Sequence, residues 1–153
     1  MFFRKRRLRP LIYQAEIARG LPLPRYGHLG DVCRDICAAE GALIPPHSGK
    51  DVRTGIHVRP PDDYYFRVVG RGLFAREGID FPLEIIDRRY TGEIILHPWN
   101  SSPREVEVKR GDRIAQLELL PVTEYDWKLV ENIEQLGESE RGRGRMGSTG
   151  RGM

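Results

Sequence analysis

The stretch Arg104-Glu-Val-Glu-Val-Lys-Arg-Gly-Asp-Arg-Ile-Ala-Gln-Leu-Glu-Leu-Leu-Pro121 predicts two strands separated by a turn. Residues 104–108 alternate polar with apolar side chains, as a half-buried strand does. Gly111-Asp112 is a turn signal, and residues 113–120 form a second apolar strand of ordinary length. Strands need partners to satisfy their backbone hydrogen bonds, so this stretch predicts a β fold.

The same pattern extends upstream. Further candidate strands lie at 52–58, 64–69, 83–86 and 92–97. Turn signals between them are Pro45-Pro46, Pro60-Pro61-Asp62-Asp63, Pro98 and Pro103. Short strands at spacings of about 8–12 residues are typical of an all-β sandwich, jelly roll or barrel. The pattern also allows helices at 71–77 and 128–136.

Composition excludes several classes of protein. The 153 residues are 39% hydrophobic and 31% charged, which suits one globular domain and argues against disorder of the whole chain. No apolar run approaches the roughly 18–20 residues of a membrane span, so we expect no membrane partner. Cys33 and Cys37 stand four residues apart with no second pair, which excludes a disulfide framework or a four-cysteine zinc site.

Charge and glycine content divide the chain. We predict a basic, Pro/Gly-rich segment at 1–30, a β domain at 31–136 and a flexible Gly/Arg-rich arm at 137–153. Residues 1–9 carry five basic side chains and no acid, whereas the residues between 10 and 136 carry a net charge of −4. Nucleic acid binding is therefore unexpected for the body and open for the basic N-terminus, which could also be a nuclear address. We expect an intracellular protein, cytoplasmic or nuclear.

Three motifs point to one family. They are Ile85-Ile-Asp-Arg-Arg-Tyr-Thr-Gly-Glu-Ile94, Gly111-Asp-Arg-Ile-Ala-Gln-Leu117 and Arg141-Gly-Arg-Gly-Arg-Met-Gly-Ser-Thr-Gly150. In this order they resemble motifs three, four and five of the trimeric dUTPases (deoxyuridine triphosphate nucleotidohydrolases). Upstream, Asp35 and Ile44-Pro-Pro46 fit the family's first motif and second strand. The resemblance covers about residues 32–150.

The resemblance implies a fold and a reaction. The fold is an all-β, jelly-roll-like distorted barrel that forms a homotrimer with a swapped C-terminal arm. Each active site draws on three chains, and the arm of one subunit closes a neighbour's pocket. The reaction is hydrolysis of dUTP to dUMP and pyrophosphate, with magnesium on the triphosphate.

The resemblance also assigns roles to residues. Asp87 becomes the base that activates water, and Asp35 approaches Mg²⁺ through a water. The hairpin around Ile86 reads uracil through its backbone, and Tyr90 packs on the sugar. The predicted phosphate-site and arm residues are Arg71, Gly72, Gln116, Arg141, Met146, Gly147, Ser148 and Thr149.

Structural roles alone would also account for these residues. Asp87 could be an ordinary turn or capping carboxylate, and Tyr90 a core aromatic. Gln116 could be a strand residue bonded to the backbone. The C-terminal tail, taken by composition alone, is a flexible leftover or an RNA-binding segment.

The sequence departs from the family pattern at four places. Val32-Cys33-Arg34 stand where Ala-Gly-Tyr is usual, and the second-motif serine is absent around Arg71-Gly72. Pro82-Leu83-Glu84 replaces a small turn and Arg89 an acid, while Arg145-Met146 replaces the Gly-Phe that stacks on the base. A pattern of this kind fits a divergent member of the family, such as a viral one.

Three rival functions stay open. The first is a non-catalytic descendant that works through protein contacts. The second is a dCTP deaminase, since residues 70–76 resemble that branch, although His97 stands where its catalytic glutamate would be expected. The third is a nucleic-acid binder acting through residues 1–9.

Overall fold

The computed structural model describes residues 8–137, and β strand dominates its regular structure. The strands are β1 (Leu11–Gln14), β2 (Arg34–Cys37), β3 (Ala42–Ile44), β4 (Ser48–Gly49), β5 (Val52–Arg59), β6 (Tyr64–Gly70), β7 (Ile79–Asp80), β8 (Glu84–Ile86), β9 (Glu93–Leu96), β10 (Trp99–Asn100), β11 (Val106–Val108) and β12 (Arg113–Pro121). One short helix, α1, spans Gly72–Arg76, and 3-10 turns span Glu16–Ala18 and Ile133–Leu136. No helix within residues 8–137 is long and apolar enough to cross a membrane.

The strand pairs between residues 8 and 137 are antiparallel, and they form four small sheets. The strand orders are β2-β12-β6-β8, β1-β5-β9, β4-β10-β7 and β11-β3. The long strand β12 lies between β2 and β6, so residues distant in sequence meet across it. The all-β, jelly-roll-like architecture expected from the sequence is confirmed.

The core draws on every sheet. Ile36, Ile44, Leu96 and Ile114 are each at most 1% exposed. Burial of such a side chain contributes roughly 1.5–3 kcal/mol, and β-branched residues also suit the pleated backbone. The alternation seen in the sequence therefore places one face of each strand in a common apolar interior.

The six predicted strands are all present, within about two residues at each end. The helix predicted at 71–77 is confirmed as α1. The helix predicted at 128–136 is wrong, because only a 3-10 turn forms at Ile133–Leu136. Leu129 and Leu136 are exposed, and a short helix that buries no apolar face is not stable in water.

The described part of the predicted segment 1–30 is not a simple tail. Strand β1, inside the predicted segment 1–30, pairs along β5 from Leu11↔Arg59 to Gln14↔Ile56. Contacts divide the described residues into one unit that ends at Val122 and a second that begins at Thr123. The bounds 1–30, 31–136 and 137–153 stay predictions, and most of the arm lies outside the described residues.

Candidate functional site

Asp35 lies between two arginines. Its Oδ1 atom is 3.1 Å from Arg71 Nε, and its Oδ2 atom accepts a hydrogen bond of 3.0 Å from Arg113 Nη1. Arg71 Nη1 also donates to the backbone carbonyl of Arg113 at 2.9 Å. The carboxylate is only 9% exposed, so the ion pairs are protected from full solvent screening. We call Asp35, Arg71 and Arg113 the arginine cluster.

Strand register brings Gln116 to this cluster. Gln116 pairs with Asp35 across β2 and with Val69 across β6. Directly opposed residues of an antiparallel pair project from the same face of the sheet. Arg71 leaves the end of β6 two residues beyond Val69, so the sheet gathers the predicted Asp35, Arg71 and Gln116 at one place. Gly72 follows as the first residue of α1 and is exposed.

A second feature is a cavity of about 380 Å³ between β8 and β9. Its lining consists of Glu84, Ile85, Ile86, Tyr90, Glu93, Ile94, Ile95 and His97. Tyr90 is held in place because its hydroxyl donates to the Glu93 carbonyl at 2.7 Å. The Tyr90 ring lies so close to Gly92 that a Cβ there would overlap it. A side chain at position 92 would therefore have to displace the Tyr90 ring.

Asp87 follows β8 directly and is exposed. It does not line the cavity itself, but it is the residue after Ile86, which does. Its carbonyl accepts the Tyr90 amide at 2.9 Å, which forms the turn that carries both residues. The predicted base therefore lies beside the cavity, on the turn that also carries the predicted sugar contact.

Within one chain, Asp87 and the arginine cluster are apart. Ile86 pairs with Phe66 near the start of β6, whereas Arg71 follows the far end of that strand. Arg71 lies five positions beyond Phe66, which corresponds to about 17 Å of extended chain. The structure thus joins Asp35, Arg71 and Gln116 at one place and Ile86, Asp87 and Tyr90 at another.

Sequence reasoning missed Arg113 and misjudged the part that Glu84 plays. Arg113 belongs to the quoted motif Gly111–Leu117, but only the register of β12 against β2 shows that it contacts Asp35. Glu84 was noted as a departure in a turn. In the structure it lines the cavity, and its Oε1 accepts the His97 amide at 3.2 Å. Burial raises the pKa of the Glu84 carboxyl.

Asp35 offers no free oxygen as a direct ligand to Mg²⁺ in this chain, and its predicted approach to the ion through a water stays a prediction. Both carboxylate oxygens are already paired with guanidinium groups, whose two positive charges repel a cation. Asp31 lies nearby, since a Cβ at Gly27 would be 3.3 Å from Asp31 Oδ2 and 3.8 Å from Asp35 Oδ2. Across residues 8–137, no three His, Cys, Asp or Glu side chains are grouped so that they could hold a metal ion.

The two cysteines have no catalytic character. Cys37 is buried and Cys33 is half-buried, and both are free thiols. Burial raises the pKa of both thiols, so they stay protonated at neutral pH and are poor nucleophiles.

Glu93 lines the cavity. We predict that its carboxylate stabilises the folded protein and that acid removes this stabilisation. Burial acts to raise its pKa, but hydrogen bonds from Arg53 and from the Gly55 amide outweigh burial and lower it. Because the pKa of Glu93 is lower in the folded than in the unfolded protein, its ionised carboxylate stabilises the fold at pH values above 4.5, the ordinary pKa of this carboxyl. This stabilisation is lost as the pH falls below 4.5. We expect Glu93→Gln to lower the unfolding midpoint at pH 7 by roughly 2–5 °C.

Thermal unfolding of wild type and Glu93→Gln across the acid range measures this effect. The difference between the two proteins should shrink as the pH falls below 4.5. Glu107→Gln is the matched control, because Glu107 is exposed and reaches only Lys109 at 3.7 Å. A difference that is the same at every pH would contradict the assignment.

The predicted arm residues Arg141, Met146, Gly147, Ser148 and Thr149 lie outside the described residues. Within the second described unit, Tyr125 and Trp127 form an edge-to-face ring pair with centroids 5.4 Å apart. The part that the arm plays therefore stays a prediction.

Known proteins are similar to this chain in sequence. The sequence model of the dUTPase family matches residues 20–150. A deoxyuridine 5'-triphosphate nucleotidohydrolase of Candida albicans is 41% identical over 76% of this chain and 74% of its own length. The enzyme of the same name from Thermobifida fusca is 41% identical over 85% of this chain and 73% of its own length. That of Paramecium bursaria Chlorella virus 1 is 37% identical over 83% and 89%.

Solved structures share the fold. The dUTPase of Staphylococcus bacteriophage 80alpha, solved with dUPNHPP, superposes with a TM-score of 0.81 over 94% of this chain and 99% of its own, at 21% identity. A phage phi11 dUTPase variant, described as coordinating a structural Mg(II) ion, superposes with a TM-score of 0.72 over 82% and 99%, at 18% identity. A family match over residues 20–150, with these relatives and this fold, shows that the chain belongs to the dUTPase family.

Proposed function

We propose that this chain hydrolyses dUTP to dUMP and pyrophosphate. The observation that carries the proposal is the cavity between β8 and β9, with Tyr90 in its wall and Asp87 beside it. A cavity beside a carboxylate, and an arginine cluster elsewhere on the same chain, are parts that a nucleoside triphosphate hydrolase needs.

The backbone around the cavity suits recognition of uracil. Strands β8 and β9 are both edge strands, since β8 pairs only with β6 and β9 only with β5 among the described sheets. Edge strands carry N–H and C=O groups that the ladder does not use. Uracil presents a donor between two acceptors, so a fixed backbone edge can accept it and reject cytosine.

Asp87 is the base in this proposal. Its carboxylate takes a proton from a water as the water oxygen attacks the α-phosphorus, and the bond to the bridging oxygen of the β-phosphate breaks. Pyrophosphate leaves and dUMP remains. Gln116 holds the water or a phosphate oxygen, and the Tyr90 ring packs on the deoxyribose, where a 2′-hydroxyl would not fit.

The separation of the two places calls for more than one subunit. The roughly 17 Å of strand between Phe66 and Arg71 exceeds what a single α-phosphate site can bridge. We therefore propose a homotrimer in which the cavity and Asp87 of one protomer face the arginine cluster of another. The third contribution is the arm, whose Arg141 and Gly147–Thr149 close over the phosphates and whose Met146 covers the base.

A nucleotide panel of dUTP, UTP, dTTP and dCTP, assayed for pyrophosphate, tests the proposal. We expect release from dUTP well above the other three, and a trimeric mass in solution. A folded trimer that releases no pyrophosphate would favour the non-catalytic alternative. Ammonia release from dCTP would instead indicate a deaminase. Salt-sensitive nucleic acid binding that needs residues 1–9 would indicate a nucleic-acid binder.

We also propose a cellular compartment for this chain. Deoxynucleotides are used in DNA synthesis, so we place the chain in the cytoplasm or nucleus. The basic run at 4–9 supplies a nuclear address or a phosphate-binding arm.

Glu84 is predicted to weaken uracil selection. Its carboxyl lines the cavity where uracil would present carbonyl oxygens, and a negative charge there repels them while attracting the cytosine amino group. We expect Glu84→Gln to lower the KM for dUTP about three- to tenfold with kcat unchanged, and to weaken inhibition by dCTP by a similar factor.

Steady-state kinetics at pH 8, with dCTP as competitor, measures both effects. Glu77→Gln is the control, since Glu77 is exposed beside α1 and does not line the cavity. Unchanged KM and unchanged dCTP inhibition would show that Glu84 does not face the base.

A further inference from the structure

One face of the sheet β1-β5-β9 carries exposed side chains that the proposed reaction does not use. Strand β1 pairs with β5 so that Leu11 lies opposite Arg59 and Tyr13 opposite His57. Directly opposed residues project from the same face of a sheet, and Val58, at the alternate position, is buried. Leu11 and Tyr13 are 67% and 65% exposed, and Arg59 is also exposed. We call Leu11, Tyr13, His57 and Arg59 the outer face.

The Tyr13 ring has a fixed neighbour on this face. Its centroid lies 5.5 Å from that of the His57 ring, at an interplanar angle of 60°. His57 is held in turn, because its Nδ1 atom donates to the Thr91 carbonyl oxygen at 3.2 Å. Glu93 lies opposite His57 on β9, and Arg53 neutralises it in an ion pair of 2.8 Å. An exposed aromatic ring on a sheet is a surface on which unpaired nucleic-acid bases stack.

A cleft of about 340 Å³ adjoins the outer face. Its lining consists of Arg9, Leu11, Arg59, Pro60, Pro61 and Asp62. No ion pair between residues 8 and 137 involves Arg9 or Arg59, so both guanidinium groups keep their donors for a ligand. Guanidinium groups bind phosphate oxygens through charged, often bidentate hydrogen bonds. Leu11, in the cleft wall, is two strand positions from Tyr13, which is about 7 Å.

The charge near the cleft is positive in excess. Residues 4–9 contain five basic side chains and no acid, and Arg59 adds a sixth positive charge. Asp62 lines the cleft and Asp63 follows it, and these two carboxylates are the acids next to the cleft in sequence. An excess of positive charge at an accessible surface attracts a polyanion and releases its counterions on binding.

We infer that the outer face, the cleft and the basic run at 4–9 bind single-stranded nucleic acid, in addition to the proposed hydrolysis of dUTP. Arg9, Arg59 and the basic run bind phosphates, and Tyr13 stacks on a base. A single strand fits this combination because its bases are open to stacking, whereas the bases of a duplex are stacked on one another. The inference does not depend on the proposed function, since these residues belong neither to the cavity between β8 and β9 nor to the arginine cluster.

Fluorescence anisotropy of a labelled oligothymidylate of about 20 nucleotides, titrated with the full chain at several salt concentrations, tests the inference. We expect the logarithm of the binding constant to fall with the logarithm of the salt concentration. The slope should be about −3 to −4, as the neutralisation of about four to six phosphates requires.

Two substitutions on the outer face separate phosphate binding from stacking. Arg59→Gln should weaken binding about three- to tenfold and make the salt slope shallower by about 0.7, the contribution of one phosphate contact. Tyr13→Ala should weaken binding about five- to fiftyfold and leave the slope unchanged, and Tyr13→Phe, which keeps the ring, should bind like wild type. Tyr13→Ala should leave binding to a duplex of the same length unaltered.

The matched control is Arg76→Gln on α1, which removes an exposed arginine outside the outer face and should change neither the Kd nor the slope. Unfolding midpoints establish that each variant is folded before its Kd is compared. Changing Arg4, Lys5, Arg6 and Arg7 together to glutamine in the full chain should make the slope shallower by about 2 to 3.

Several outcomes would overturn the inference. Oligonucleotide binding that neither Tyr13→Ala nor Arg59→Gln weakens would show that the outer face takes no part in it. An equal loss of duplex binding in Tyr13→Ala would remove the stacking role. Binding to phosphatidylserine vesicles without binding to the oligonucleotide would assign the face to a membrane surface.

Failure of this inference is distinguishable from failure of the proposed function. Normal pyrophosphate release from dUTP, with no oligonucleotide binding at low salt, would overturn the inference and leave the proposed function intact. Oligonucleotide binding that responds to both outer-face substitutions, with no pyrophosphate release from dUTP, would support the inference and overturn the proposed function.

Discussion

Replacing Asp87 by asparagine is expected to lower kcat for dUTP by about 10²–10⁴-fold. Asparagine has nearly the same shape as aspartate, so the turn closed by the bond from the Tyr90 amide to the Asp87 carbonyl should persist. An amide cannot accept the proton that the attacking water loses. The Kd for the dUTP analogue dUpNHpp should therefore change by only a few-fold while turnover collapses.

Asp80→Asn is the matched control, because Asp80 is an exposed strand aspartate that does not line the cavity. It should keep wild-type kcat and KM. A fully active Asp87→Asn protein would remove the base from the mechanism. Loss of analogue binding equal to the loss of turnover would show that Asp87 binds the substrate and is not the base.

Subunit mixing tests the shared site with the same variant. An Asp87→Asn chain retains its arginine cluster, and an Arg71→Ala chain retains its Asp87. If each active site takes Asp87 from one protomer and Arg71 from another, an equal mixture should recover about a quarter of wild-type activity. If both residues served one site within a single chain, the mixture would show no more activity than the two separate proteins contribute.

Asn100→Asp is expected to lower the free energy of unfolding by about 3–5 kcal/mol, the largest effect on stability that we predict. The Asn100 side chain is fully buried at 0% exposure. Its Nδ2 donates to the carbonyls of Ile44 at 3.0 Å and Arg104 at 2.7 Å, and its Oδ1 accepts from Ser102 N at 3.0 Å and Oγ at 2.7 Å.

The aspartate variant keeps the shape but loses both donors. At neutral pH it places a negatively charged oxygen opposite two backbone carbonyls in the interior, and the two hydrogen bonds from Ser102 reach only the other carboxylate oxygen. At low pH the protonated acid can donate one hydrogen bond, so the loss of stability should be smaller there. Urea unfolding at fixed protein concentration, at pH 5 and pH 8, measures both parts.

Asn132→Asp is the matched control, since Asn132 is exposed and the same chemical change there should cost less than about 0.5 kcal/mol. If Asn100→Asp unfolds like wild type, the buried hydrogen bonds assigned to this amide do not hold the strands β3 and β10 together.

Local patterns in the sequence were enough to predict much of this protein. Alternation at 104–108 and the apolar run at 113–120 predicted β11 and β12, because a side-chain period of two follows from the strand backbone alone. The order of the three sequence motifs predicted the family, because each motif is a run of neighbouring residues. The wrong helix at 128–136 shows the limit, since apolar spacing suited a helix that has nothing to bury its face.

What the tertiary structure decided is which of those residues meet. Asp35 and Arg113 are 78 positions apart, and they contact each other because β12 runs antiparallel to β2 in one register. The same pairing rules carry Asp87 and Arg71 to opposite ends of β6. Sequence determined the strands and the candidate chemistry by itself, because both depend on neighbouring residues. The strand register, the ion pairs of Asp35 and the distance between Asp87 and the arginine cluster all depend on long-range packing. No local pattern encodes that packing.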